Sequence, residues 1–163
     1  MERGMIAVSF GTSVPEARTA VEAVENALRR EAPGYGFARA FTSPTIRRVL
    51  AGRGERVPSL TEALESLRAA GVRRAAVQPT HLLYGVEYDK LKAETEAFAG
   101  AFDVLALGRP LLADTGDIKR FAARLSQAYP PAEGSAAVFM GHGTDHFANA
   151  VYPALQTGLR LEG

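Results

Sequence analysis

The chain has 163 residues, with 19 basic against 18 acidic side chains, a formal charge of +1 and 47% hydrophobic residues. That length and apolar share suit one globular domain with a real core, and the near-neutral charge gives no basic footprint for nucleic acid. The absence of cysteine excludes disulfides, thiolate metal sites, iron–sulfur clusters and a cysteine nucleophile.

In chain order, short β-rich runs alternate with longer helical patterns, the signature of a parallel α/β sheet. Residues 5–10 form the first apolar run, and Gly11-Thr12-Ser13 breaks it. Ser13 and Glu16 then stand in capping-box spacing with Pro15 early in the turn, predicting a helix that buries Val21, Val24 and Leu28. Residues 35–41 read as a second strand, and Ser43-Pro44 opens a helix with Ile46, Val49 and Leu50 on one face. Ser59 and Glu62 repeat the capping box, and Gly71 is placed to end that helix. Residues 74–78 form a third strand, and a helix is expected over residues 87–99 with Leu91 and Phe98 inward. Residues 103–107 give a fourth strand, and residues 115–129 a helix burying Ile118, Phe121 and Leu125. Residues 136–140 read as a fifth strand and residues 147–161 as a last helix. Both residues 7–12 and residues 137–144 are apolar runs leading into Gly-Thr, a weak internal repeat that places the opening of a second βα unit at Ala136.

No apolar run approaches the roughly 20 residues of a membrane helix. The start, Met1-Glu2-Arg3-Gly4 before a short apolar run, is too brief and too acidic for a signal peptide, so a cytoplasmic location is expected.

Ligands of open α/β sheets collect beyond the carboxyl ends of the strands. The loop Gly141-His142-Gly143-Thr144-Asp145-His146 carries the most chemistry there. Its glycines allow His142 to stand bare at a cleft, as a ligand for a first-row metal or a base near neutrality; a turn histidine is the plainer alternative. His146 lies at a helix start and fits a role within the turn. Glu87 sits near a helix start, where the dipole favours a carboxylate whatever its function. His81 reads as a structural histidine anchoring its loop. Ser9, Gly11, Thr12 and Ser13 offer backbone donors at a helix N-terminus, either an anion site or simple capping. Arg47, Arg48 and Arg53 are either a solvated face or holders of acidic ligand groups. No P-loop, dinucleotide glycine fingerprint, HExxH or nucleophile elbow is present.

Five collinear motifs carry a resemblance. They are Val8-Ser9-Phe10-Gly11-Thr12-Ser13, Ala40-Phe41-Thr42-Ser43 with Ile46-Arg47, residues 78–88 ending in Gly85-Val86-Glu87-Tyr88, Leu107-Gly108-Arg109-Pro110-Leu111-Leu112, and Phe139-Met140-Gly141-His142-Gly143. Together the chain resembles the anaerobic sirohydrochlorin cobaltochelatases, class II chelatases of cobalamin biosynthesis. The resemblance implies ATP-independent insertion of Co²⁺ into sirohydrochlorin or a related precorrin, with no organic cofactor. It also implies two similar α/β halves facing each other across a cleft: residues 1–130 as the first, and residues 136–163 as the beginning of the second. His142 matches the family histidine that binds cobalt and accepts a proton. Glu87 matches an acidic residue of the same cleft, for metal delivery or proton relay. Ser9, Gly11, Thr12, Ser13 and Arg47 fall where the macrocycle's carboxylates would be oriented. A second metal-binding histidine and an acidic residue of the family have no match before Gly163, so a fragment, or a cleft completed by another subunit, is expected. The rival readings are a chelatase for Fe²⁺ or Ni²⁺, a non-catalytic tetrapyrrole or metal carrier, and a hydrolase built on His142 and Asp145. The expected partners are the tetrapyrrole and a divalent ion, without nucleic acid or membrane; a homo-oligomer is left open.

Overall fold

The computed structural model of the chain describes residues 2–162, so the outer limits expected at Met1 and Gly163 lie outside the described residues. Two compact units are present. One comprises the residues up to His81 with Glu87–Arg109, the other Leu82–Val86 with the residues from Pro110 onward.

The first unit holds a four-stranded sheet of β1 (Arg3–Ser9), β2 (Gly36–Phe41), β3 (Arg74–Pro79) and β4 (Val104–Leu107). All pairings are parallel and the order is β2-β1-β3-β4. Val8 of β1 stands opposite Ala40 on one side and Pro79 on the other. From β1 the chain builds outward first to β2 and then, in the other direction, to β3. The carboxyl ends of β1 and β3 therefore flank a topological switch point, the place where such sheets bind ligands. Ile6, Ala7, Val8 and Ser9 are all buried, as a central strand covered on both faces requires. Ile6, Val8, Leu60, Leu64, Val77 and Leu91 form the heart of the core, and Phe41, Leu50 and Val57 form a second cluster.

Helices α1 (Pro15–Glu31), α2 (Pro44–Gly52), α3 (Leu60–Ala69) and α4 (Val86–Glu96) follow the predicted order. Ser43 caps α2 by accepting from the Ile46 amide at 3.3 Å. Ser59 and Glu62 form the full reciprocal capping box, and Gly71 leaves α3 with φ +77°.

Three expectations are corrected. The box expected of Ser13 and Glu16 is absent, because α1 begins at Pro15 with Val14 as its N-cap. Instead the Thr12 hydroxyl accepts from the Val14 amide at 3.1 Å. Along α1, Val24 is exposed and Glu25 is the buried residue. A bidentate pair with Arg39 of β2 compensates the carboxylate, at 2.7 and 2.5 Å. Last, residues 136–140 are not a strand. A strand is a backbone pairing as much as a local conformation, and among the described residues nothing pairs with this segment; Val138 and Met140 stand exposed.

In the second unit, α5 (Thr115–Ala128) is capped by the Asp114 carboxylate, which accepts from the Asp117 amide at 2.9 Å. A 3₁₀ turn (Phe147–Ala150) leads into α6 (Val151–Glu162). A Cβ on Gly158 would lie 3.0 Å from that of Ala122, which is fully buried, so α5 and α6 approach closely at this point. Among the described residues no helix is long and apolar enough to cross a membrane.

Candidate functional site

At the carboxyl edge of the sheet, backbone hydrogen bonds carry the pairing past the strand ends and fix the loops. The Thr42 amide donates to Ser9 at 2.9 Å, the Thr80 amide to Val8 at 2.8 Å, and the Gly108 amide to Val77 at 2.8 Å. These bonds set Ser9, Thr42 and Thr80-His81 side by side at the ends of three adjacent strands. Tyr88 adds a tie from α4 by donating to the Gly108 carbonyl at 3.1 Å.

Glu87 faces this edge from the first turn of α4. Its Oε2 accepts from the Thr42 hydroxyl at 3.2 Å and its Oε1 from Lys90 Nζ at 2.7 Å. The hydrogen bond from Lys90 is the main influence holding the Glu87 carboxyl below its usual range; partial burial works against it. Glu87 is therefore ionised, oriented and already engaged at both oxygens. The Lys90 contact was readable from the spacing of three residues, whereas Thr42, 45 positions away, could be found only through the register of β1 and β2.

His81 is a correction. It does not anchor its loop through its ring, because both ring nitrogens are buried and neither has a hydrogen-bond partner. Burial depresses its pKa, with the Glu87 charge opposing, so the imidazole is held neutral. The Ser9 hydroxyl, on a residue only 6% exposed, is likewise unpartnered. Each such atom costs on the order of 1–3 kcal/mol relative to a satisfied one, and native folds leave few of them.

The other residues expected to bind substrate are placed as follows. Gly11 has φ +94°, and a Cβ there would stand 2.5 Å from the buried Phe41 ring. The carbonyl of Ser13 accepts from Arg53 Nη1 at 2.7 Å. Because Pro15 has no N–H and the Val14 amide is held by Thr12, the start of α1 has a short supply of donors for an anion, and Glu16 adds a negative charge there. Arg47 lies 3.5 Å from Glu62, and its Nε is buried without a hydrogen-bond partner. Arg48 is exposed.

The second unit presents His142 on an exposed loop. Its Nδ1 lies 2.9 Å from the Gly143 carbonyl. A carbonyl only accepts, so Nδ1 carries the proton in the neutral ring and the Nε2 lone pair is left for a ligand. Tyr152 of α6 holds this loop: its hydroxyl accepts from the Gly143 amide at 3.2 Å. A Cβ on Gly141 would come within 2.3 Å of the Tyr152 ring. Gly143 itself has φ +74°. His146 works within the turn, as expected, with Nδ1 accepting from the Ala148 amide at 3.1 Å. Asp145 is exposed, and the Nδ1 contact of His142 goes to a carbonyl, so the geometry of a hydrolytic His–Asp pair is not formed. Among the described residues no three histidine or carboxylate side chains gather as a metal site.

The family described as cobalt chelatase (CbiK) matches residues 3–163. The chain belongs to the cobalt chelatase (CbiK) family. A sirohydrochlorin cobaltochelatase, CbiKC, of Nitratidesulfovibrio vulgaris is 34% identical over 163 residues, covering 98% of this chain and 58% of the relative. A sirohydrochlorin cobaltochelatase of Salmonella typhimurium is 35% identical over 158 residues, covering 95% of this chain and 60% of the relative. The chain thus spans less than two thirds of the length of either relative. Among solved structures, a CbiX protein from Marinobacter aquaeolei VT8 shares the fold. Its TM-score is 0.54 at 16% identity, over 78% of this chain and 92% of that one. Within this cobalt chelatase family member, four of the five motifs lie at the carboxyl ends of β1, β2, β3 and β4. The fifth leads into the His142 loop.

Proposed function

We propose that this chain works as a sirohydrochlorin cobaltochelatase, inserting Co²⁺ into sirohydrochlorin without ATP in anaerobic cobalamin biosynthesis, in the cytoplasm. The observation that carries the reading is the His142 loop. Its Nδ1–H is fixed on the Gly143 carbonyl, and the opposite ring nitrogen is left for a ligand on an exposed, glycine-flanked turn. Metalation must strip water from a divalent ion and remove pyrrole protons from the ring. The one free lone pair of a neutral imidazole serves in turn as ligand for a first-row ion and, once the ion has passed to the ring, as acceptor for a proton. The metal is the substrate, and His142 is its ligand in this reading. Glu87 supplies a fixed negative charge at the carboxyl edge of the sheet, where Thr12 and Arg47 would meet the polar rim of the macrocycle. The family membership and the names of the two relatives support the same reading.

A second reading, a tetrapyrrole or metal carrier without catalysis, is favoured by one observation: no three-donor metal group gathers among the described residues. A single experiment separates the two. Metal-free sirohydrochlorin and Co²⁺ are mixed anaerobically with the chain and the absorbance of the ring is followed, with Fe²⁺ and Ni²⁺ in parallel. The chelatase reading expects metalation faster than in buffer, fastest with Co²⁺, and slowed about 10²-fold or more by His142→Ala. Ring binding without any spectral change of metalation supports the carrier. A His142→Ala rate equal to that of the unsubstituted chain removes His142 from the mechanism.

A further inference from the structure

His142 is exposed, and the turn that presents it is fixed from behind by a residue outside all five motifs. Tyr152 stands in the first turn of α6, nine positions after Gly143. Its hydroxyl accepts from the Gly143 amide at 3.2 Å. Its ring lies so close to Gly141 that a Cβ there would collide with Cε1 and Cδ1. One tyrosine therefore holds the glycines on both sides of His142. The next peptide is held as well, because the Thr144 amide donates to Asn149 Oδ1 at 3.3 Å.

Gly143 depends on these bonds. It has φ +74°, and nothing lies within 4 Å of where a Cβ would stand. Packing therefore does not set its dihedrals, and glycine has the freest backbone of any residue. The direction of its carbonyl is set by the hydrogen bonds to the peptides on its two sides. That carbonyl is the group His142 Nδ1 meets at 2.9 Å. Which nitrogen of a neutral imidazole carries the proton is decided by the hydrogen bond the other nitrogen is given. With the carbonyl fixed, Nδ1 keeps the proton and Nε2 the lone pair. With Gly143 loosened, the tautomers exchange, and Nε2 is protonated and closed to a metal for part of the time. Resting on the reading of His142 as the cobalt ligand, we propose that Tyr152 is a positioning residue for that histidine. Acting through Gly143, it selects the tautomer whose Nε2 is open to the ion.

The chain has three histidines, so in protein isotope-labelled at the histidine nitrogens each ring gives its own pair of NMR resonances. At about pH 8, above the ordinary imidazole range, each pair reports the tautomer. The unsubstituted chain should show His142 protonated at Nδ1. Tyr152→Phe keeps the ring against Gly141 and removes only the acceptor; Gly141→Ala keeps the hydroxyl and pushes the ring off the loop. Both should show a mixture of tautomers at His142. Tyr152→Phe should melt within about 5 °C of the unsubstituted chain, since one hydrogen bond is lost. In a Co²⁺ titration read on the His142 resonances, affinity should fall about tenfold in both, the lower end of what an outer partner of a metal histidine is worth. A His142 ring still fixed with Nδ1–H in either variant overturns the proposal. A larger fall in the melting temperature of Tyr152→Phe also overturns it, since the tyrosine would then brace the whole unit. If His142→Ala weakens Co²⁺ binding and the two variants do not, the proposal fails and the reading of His142 stands. If His142→Ala leaves Co²⁺ binding unchanged, that reading fails and the proposal with it.

Discussion

Substitution of Gly11 by Ala separates two reasons for a glycine at a strand end. In the resemblance Gly11 belongs to the substrate-binding loop, but the structure gives it a purely internal necessity. Its φ of +94° costs a residue with a Cβ about 1–2 kcal/mol. In addition, the new Cβ would stand 2.5 Å from Cδ2 and 2.6 Å from Cγ of Phe41, a ring with no exposed surface and no room to yield. Overpacking of this kind costs about 1–3 kcal/mol. The stiffer unfolded chain of the Ala variant offsets about 0.4–1 kcal/mol of the total. The net expectation is a loss of roughly 2–4 kcal/mol, or about 4–16 °C in melting temperature for a chain of this size. Gly34 is the internal control, with φ +81° and nothing within 4 Å of where a methyl group would stand, so Gly34→Ala should cost at most about 1.5 kcal/mol. Thermal unfolding of both variants by circular dichroism gives the comparison. Equal melting temperatures for the two would refute the Phe41 collision and return Gly11 to a role in ligand binding alone.

Other outcomes follow from the ion pairs of the first unit. Arg39→Met leaves the Glu25 carboxylate, 2% exposed, without its bidentate partner, and should destabilise by about 3–5 kcal/mol in urea unfolding. The double variant Glu25→Leu with Arg39→Met should recover most of that loss, and a single variant costing under about 1 kcal/mol would show that the pair is not the compensation for burial. The Glu62 carboxyl is lowered to about 2, chiefly by the hydrogen bond from the Ser59 amide. Its folded pKa lies below the unfolded value, so its contribution is complete above about pH 4.5 and is lost as the pH falls toward 2. With the side chain 39% exposed, solvent screening limits that contribution to about 1 kcal/mol. Glu62→Gln should therefore flatten the stability profile between about pH 5 and 2.5 by that amount, and parallel profiles for the two proteins would contradict it.

The order of elements was legible because the signals are local. Ser43 before Pro44, the Ser59–Glu62 box and Gly71 each act within four residues of themselves, and each does in the structure what its spacing predicts. The Ser13–Glu16 box failed locally, α1 starting at Pro15 with Val14 as its N-cap, but the other two failures share a cause in contacts distant along the chain. Val24 lost its inward place to Glu25 because Arg39, fourteen residues on and in another element, offers a bidentate partner. Residues 136–140 have the composition of a strand, but composition supplies only the willingness to pair; without a neighbouring edge among the described residues they stay irregular, with Val138 and Met140 in solvent.

The same distinction governs the site. Sequence spacing identifies residues that can donate, accept or ligate, and it placed Glu87, His81 and His142 on loops at strand ends. Whether such a group is available depends on what already occupies it, and occupancy is set by register. The pairing of β1 with β2 and β3 brings Thr42 to Glu87 and closes one oxygen of the carboxylate, while Lys90 closes the other. The same pairing carries His81 in beside Ser9, where neither finds a partner. A carboxylate with two hydrogen bonds has its charge stabilised and its basicity reduced; a buried imidazole with none keeps its lone pair and bears a cost for doing so. On that balance the carboxylate is held ionised and oriented by its partners, and the histidine is held uncharged by its burial.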